Sequence, residues 1–249
     1  MSKPEASRLY ERVAHDVAAK IAEQVYAIGA RLPSERDLAQ TYAVSRPTIR
    51  EAMIALELDG LVEVRMGSGV YVIAHQPRGG QAGETDIGPF ELLEARRLIE
   101  GEAAALAAGR VTDAEIAEFD RLLAEIRHAG SNIAASEDAD RRLHLGIARA
   151  TGNSAIFATV EMLWDARARS PQYRLLADKA HDAGIGPRTD EHTLIVEALR
   201  ARDADAAREA MRTHLGRVLD SLLEATEVHE LEQARARVDA QRRRFSGGN

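Results

Sequence analysis

The chain has 249 residues, 45% of them hydrophobic and 29% charged, a formal net charge of −7 and no cysteine. That excludes a disulfide scaffold, a thiolate zinc finger, an iron–sulfur protein and a cysteine nucleophile. No run approaches the roughly 18 consecutive apolar residues of a membrane span, and the opening MSKPEASRLYERVAHD lacks the apolar stretch of a signal peptide.

A cytoplasmic protein that meets no membrane is therefore expected, with one or two domains large enough for real cores. Aromatic residues are only 4% and alanine is frequent, which favours packed helices over a sheet sandwich. The acidic excess lies downstream of residue 78, because Lys/Arg and Asp/Glu balance before it. Such a total argues against a protein that coats nucleic acid, yet leaves room for a small domain with one basic face.

The first element is a helix from Arg8 to Ile28, with Leu9, Val13, Val17, Ile21 and Val25 as its apolar stripe. A short helix follows over Glu35–Thr41, with Ser34 as cap, then a tight turn at Tyr42-Ala43-Val44. Ser45 caps the next helix, which carries Pro47 in its first turn and ends at Gly60. Ile49, Met53 and Leu56 form its inner face, and Arg46, Thr48 and Arg50 its outer face. The run LVEVRMGSGVYV alternates, turns at Gly67-Ser68-Gly69 and returns, which reads as a β-hairpin.

Two short helices, a tight turn and a hairpin make a winged helix-turn-helix, whose second helix can enter a DNA major groove. Arg46 and Arg50 lie one helical turn apart near the start of that helix, where a guanidinium can reach a guanine edge or a phosphate. Thr48 can meet a phosphate or a thymine methyl, and Gly67 lets the wing backbone approach the minor groove. Any one arginine is equally at home on a solvated face. The ordered set carries the reading.

The run LPSERDLAQTYAVSRPTIREAMIALELDGLVEVRMGSGVYV resembles the DNA-binding domain of the GntR family of bacterial transcription regulators. The resemblance implies dimeric binding of double-stranded DNA at a short palindrome. Arg36, Arg46 and Arg50 would be the main contacts, with Thr48 and Gly67 assisting. Pro47 stands where several family members carry a polar residue, which puts a contact from that position in doubt.

From Ala74 to Gly88 the chain is glycine-rich and aperiodic, the composition of a connector. We therefore divide the chain into a DNA-binding domain over 1–75, a linker over 76–88, a helical effector-binding and dimerisation domain over 89–227, and a charged tail over 228–249. Six or seven helices are expected after the linker, at about 89–109, 112–129, 136–151, 153–169, 173–180, 188–201 and 203–226, with start signals at Thr112 and Asn153 and stops at Gly130 and Gly152. The expected fold is mainly α: the winged helix-turn-helix followed by an all-α antiparallel bundle.

Some polar residues of the second domain fall inside apolar stripes. Asp140 and His144 share a face with Ile147 and Ala148; His192 lies with Ile195, Val196 and Leu199; His214 lies with Ala210, Met211 and Val218. A lone inward histidine is most often a satisfied core residue. Four inward polar groups need partners once buried, and three imidazoles with a carboxylate suit a divalent transition metal such as zinc, nickel or manganese. Arg96 sits in the stripe of Leu92, Ile99, Ala103 and Leu106; a buried guanidinium needs an anion, either an internal Asp or Glu or a ligand carboxylate.

The stretches FELLEARRLIEGEAAALAA, DADRRLHLGIARATGNSAI and EHTLIVEALRARDADAAREAMRTHL resemble the FCD effector domain of the FadR-type branch of the same family. That resemblance implies that Asp140, His144, His192 and His214 are metal ligands, with zinc the first expectation, and that a small carboxylate is held by the metal and Arg96. SRLYERVAHDVAAKIAEQVY, GPFELLEARRLIE and MLWDARARSP are similar to regulators of hexuronate catabolism, which implies a repressor with a hexuronate effector. Arg167, in the last stretch, is a candidate second contact for an effector hydroxyl or carboxylate, with a surface or salt-bridged arginine as the alternative. Lactate, gluconate and dicarboxylates satisfy the same chemistry.

Trp164 with Phe157 and Leu163 is expected as core packing, and the segment Glu227–Arg244 as a solvated helix. The competing class is a metal-dependent hydrolase fused to a DNA-binding module. It lacks an inward general base, since Glu191 at i−1 from His192 points elsewhere on an ideal helix. A bare metal sensor would not need Arg96. The expectation is a regulator and not an enzyme.

Overall fold

The computed structural model describes residues 9–65, 69–77, 87–129, 132–182, 185 and 190–224. By their internal contacts these fall into two compact units: the residues up to Gly88 together with Ser170–Lys179, and Pro89–Arg169 with Ala180–Leu222.

The first unit opens with α1 (Leu9–Ala22), which buries Tyr10, Val13, Val17 and Ile21 along one stripe. It stops well short of Ile28. Gln24 takes a left-handed backbone, φ 61, and the N–H groups of Gln24 and Val25 return to the carbonyls of Ile21 and Lys20. Those are the two bonds of a Schellman stop, built here without the usual glycine, so the sequence carries no mark of it. Val25, expected on the stripe, is exposed.

Helices α2 (Glu35–Tyr42) and α3 (Arg46–Leu58) are capped as their serines predict. Ser34 Oγ accepts from the Asp37 N–H at 3.2 Å, and Ser45 Oγ accepts from the Thr48 N–H at 3.2 Å. Ala43, left-handed at φ 52, makes the tight turn between them. Strands β1 (Val62–Arg65) and β2 (Gly69–Val72) pair antiparallel, Val62 opposite Val72 and Val64 opposite Val70. The chain before α2 edges this hairpin, with the N–H groups of Gly29 and Leu32 donating to the carbonyls of Val72 and Val70. Val17, Ile21, Leu38, Ile49, Met53, Leu56, Val62 and Val72 close one core. This is the expected winged helix-turn-helix. Gly67, most of the linker and the tail lie outside the described residues.

The described elements after the hairpin are all helices: α4 (Pro89–Ala108), α5 (Asp113–His128), α6 (Ile133–Ala150), α7 (Ser154–Arg169), α8 (Pro171–Asp182), α9 (Asp190–Arg200) and α10, residues 204–224. In α8, Tyr173 and Leu176 are buried. Its residues up to Lys179 group with the first unit, where Lys179 Nζ reaches Glu57 Oε2 of α3 at 2.6 Å.

In the second unit α5 starts from a capping box. Thr112 Oγ1 accepts from the Glu115 N–H, and Glu115 Oε2 accepts from the Thr112 N–H. Helix α6 begins earlier than expected because Asn132 caps it, accepting from the Ala135 N–H. Asn153 accepts from the N–H groups of Ala155 and Ile156 at the start of α7. Helix α4 packs on α6, α7 and α9, and α5 on α6 and α9. Gly146 permits the α5–α6 approach, since a Cβ there would lie 2.8 Å from Cε1 of the buried Phe119 ring. Among the described residues no helix is long and apolar enough to cross a membrane.

Candidate functional site

Two sites were expected, one in each unit. In the first unit, Arg36 is 80% exposed and lies 3.7 Å from Asp37. Arg46 is 55% exposed, its Nη2 3.5 Å from Glu35 Oε2. Arg50 departs from the expected outer face: its side chain is only 6% exposed, and its Nε donates to both oxygens of Glu35 at 3.0 and 2.9 Å. Glu35, which the sequence did not single out, thus gathers two arginines at the start of α3. Thr48 Oγ1 lies 2.8 Å from Ser45 Oγ, engaged in the cap.

In the second unit the stripe residues converge. Helix α6 supplies Asp140 and His144, α9 His192 and α10 His214; one ligand atom from each lies within 4.8 Å of the others. All three histidines are buried. His192 Nε2 is 2.8 Å, and His144 Nε2 3.4 Å, from Asp140 Oδ1. Yet Asp140 Oδ1, His144 Nε2 and both nitrogens of His192 have no hydrogen-bond partner. Buried polar atoms left this way cost free energy. A cation bound by all four groups would satisfy them, so the donor set fits a divalent ion.

Two carboxylates that the sequence missed stand behind these rings. Arg96 is buried and finds an internal anion, Nε donating to Glu100 Oε1 at 2.6 Å. Glu100 Oε2 in turn accepts from His144 Nδ1. Glu191 is buried rather than turned away. It accepts from His214 Nδ1 at 3.2 Å and from Arg217 at 2.9 Å. The signal for Glu100 was its i,i+4 spacing from an arginine inside a stripe; nothing local marks Glu191.

These contacts set the protonation states. Burial would raise the Glu100 carboxyl, but Arg96 and His144 hold it at about 2. Burial would also lower His144, but Glu100 and Asp140 hold it at about 9. Asp140 stays well below the ordinary carboxylate range despite its burial, because His144 and His192 face it. His214 falls to about 4, chiefly through burial and against the pull of Glu191. The Asp140 carboxylate therefore faces a protonated His144, an arrangement in which a divalent cation can take the place of the proton.

Trp164 is core, as expected, and also borders this centre. Its ring lies 5.2 Å from that of His144, with Arg96 over it at 4.0 Å and Arg167 at 5.0 Å. Arg167 also donates to Glu137 at 2.6 Å.

Residues 9–72 match the gntR family of bacterial regulatory proteins, and residues 91–217 match the FCD domain. The chain is similar to the Exu regulon transcriptional regulator of Escherichia coli K12, 39% identical over 220 residues, 86% of this chain and 84% of that one. The Uxu operon transcriptional regulator of the same strain is 36% identical over 240 residues, 92% and 93% of the two chains. The Uxu operon regulator of Haemophilus influenzae is 34% identical over 232 residues, 90% and 85%.

Proposed function

Because the chain belongs to the gntR family of bacterial regulatory proteins and carries an FCD domain, we propose that it is a cytoplasmic repressor of hexuronate catabolism. A homodimer holds a palindromic operator and releases it when a small carboxylate binds the helical domain. The observation that carries the effector half is the convergence of Asp140, His144, His192 and His214 on one buried point. The relatives named for Exu and Uxu systems support a hexuronate such as galacturonate or glucuronate.

On DNA, the exposed Arg36 and Arg46 would contact phosphates or base edges, with Thr48 and Gly67 assisting. Arg50 takes part through its pairing with Glu35, either aimed at the duplex by that carboxylate or exchanging it for a phosphate. In the helical domain Asp140, His144, His192 and His214 would hold a divalent ion, zinc first, with nickel and manganese also compatible. Such an ion would supply a Lewis-acidic position for a carboxylate or hydroxyl oxygen.

Arg96 and Arg167, both over the Trp164 ring, are the cations for the effector carboxylate. A guanidinium has five donors, so Arg96 can serve Glu100 and an effector together. For release, the effector must favour the state with weaker DNA affinity, typically by about 1–3 kcal/mol. A water-activating enzyme would need a carboxylate base free of partners, whereas Glu100 and Glu191 are each tied to an arginine and a histidine.

The test is calorimetric titration of metal-loaded protein with galacturonate, glucuronate, lactate, gluconate and a dicarboxylate, beside the same series on Arg96→Ala. Micromolar binding of one uronate, lost in the variant and accompanied by release of operator DNA, is expected. Binding of lactate or a dicarboxylate alone would reassign the effector. No binding by any of them would remove the effector role from this centre.

A further inference from the structure

The centre has three imidazoles, and they are not held alike. His144 and His214 each donate Nδ1–H to a buried carboxylate, Glu100 and Glu191 respectively. Each carboxylate is in turn held by a guanidinium, Arg96 within α4 and Arg217 of α10. His192, in contrast, faces Asp140 Oδ1 with Nε2 at 2.8 Å, and its Nδ1 has no carboxylate or other hydrogen-bond partner behind it. Two rings are therefore fixed through a chain of three side chains, and the third is not.

We propose that Glu100 and Glu191 are the positioning residues of the centre, fixing His144 and His214 so that Nε2 is the atom offered to a metal. A carboxylate can only accept, so its bond to Nδ1 places a proton there and leaves the Nε2 lone pair for coordination. It also makes that nitrogen a better donor and stops rotation of the ring. Arg96 and Arg217 act one step further out. Each keeps its carboxylate ionised and oriented, and Arg96 does so from a fully buried position where an unpaired Glu100 would be costly. The assignment rests on the metal reading above.

The experiment uses the full-length protein, wild type, Glu100→Gln, Glu191→Gln and Glu125→Gln. Glu125 serves as control because it pairs with Arg142 at the surface. Glutamine keeps the volume and one acceptor while removing the charge. Zinc affinity is measured by competition with a chromogenic chelator. Cobalt-substituted protein gives the visible ligand-field spectrum, and ring-nitrogen NMR of the zinc-loaded protein reports which nitrogen is bound.

Each of the two buried variants is expected to lose about 10- to 100-fold in zinc affinity, to change the cobalt spectrum, and to show a mixture of Nδ1 and Nε2 coordination. The Glu125 variant should match wild type. Circular dichroism melts of the metal-free proteins identify any variant that fails to fold; for such a position Glu→Asp is used, which keeps the charge and shortens the reach, and the same losses are expected. Wild-type affinity and spectra in the folded variants would overturn the assignment while leaving the metal centre standing. A wild-type protein that takes up neither zinc nor cobalt would overturn both.

Discussion

The two units treat charge in opposite ways. At the start of α3, two arginines share one carboxylate, Glu35; Arg46 remains mostly exposed, as does Arg36 of α2. In the helical unit, Arg96, Glu100, Glu191 and three histidines are all buried. There each ionised group meets a counter-charge, and the unsatisfied atoms of the histidine cluster are Asp140 Oδ1, His144 Nε2 and the nitrogens of His192. Water carries the cost of free charge at a surface, so a cation can wait there for a phosphate. Inside, a free charge is too expensive to keep. What a core can offer a cation is a ring nitrogen or a carboxylate, and Asp140, His144, His192 and His214 bring both kinds to one point.

The contrast is broken most severely at Arg96. Arg96→Met leaves the buried Glu100 with His144 as its remaining partner, and we expect about 3–5 kcal/mol lost in urea unfolding; a loss below about 1 kcal/mol would show that Arg96 is not needed to keep Glu100 buried as an anion. The pH dependence has a definite sign. Glu100 is depressed from 4.5 to about 2 in the fold, so its contribution is present above 4.5 and fades as the pH falls toward 2. The Arg96 variant should lose the share of that acid sensitivity that Arg96 supplies, His144 retaining the rest.

At the DNA-reading end, Arg46→Ala should leave stability nearly unchanged and weaken operator binding by about 1–3 kcal/mol, with relaxed preference at one base position. Equal losses on operator and random duplex would instead mark Arg46 as a phosphate contact. Ser45→Ala sharpens the comparison from the backbone side. Losing the α3 cap should cost about 1 kcal/mol of stability by chemical denaturation, and an unchanged midpoint would mean that the cap bond is dispensable. The smallest effect is expected at Arg142, which is half exposed among Glu118, Glu125 and Asp138. Its replacement by alanine should stay within about 0.5 kcal/mol; a much larger shift in midpoint would contradict the idea that surface charge is cheap here.

The same contrast explains what could be read from the sequence. Ser34, Ser45 and Thr112 announce their helices because a cap is a local bond between residues three apart. Asp140, His144, His192 and His214 were legible because helical periodicity reports which face turns inward. Periodicity does not report what waits across the gap between helices. Glu191 meets His214 and Arg217 from a different helix, so its burial depends on tertiary contacts. Arg96 demanded an anion without naming one, and Glu100, four residues on, was not singled out. Arg50 was misplaced for the same reason: Glu35 lies on another helix. The end of α1 escaped because Gln24 adopts a conformation that its residue type does not advertise.

Helix α4 carries Arg96 and Glu100 on a shaft whose later turns bury Ala103, Ala104, Ala105, Ala107 and Ala108. An alanine has no side-chain rotamers to surrender when it is buried, and its small volume lets the helix lie close to its neighbours. The helix that holds Arg96 and Glu100 is thus cheap to order in its second half, and little side-chain freedom remains there to be frozen later. If an effector binds beside Arg96 as proposed, that part of the framework is already settled, and the disorder to be removed is largely the ligand's own.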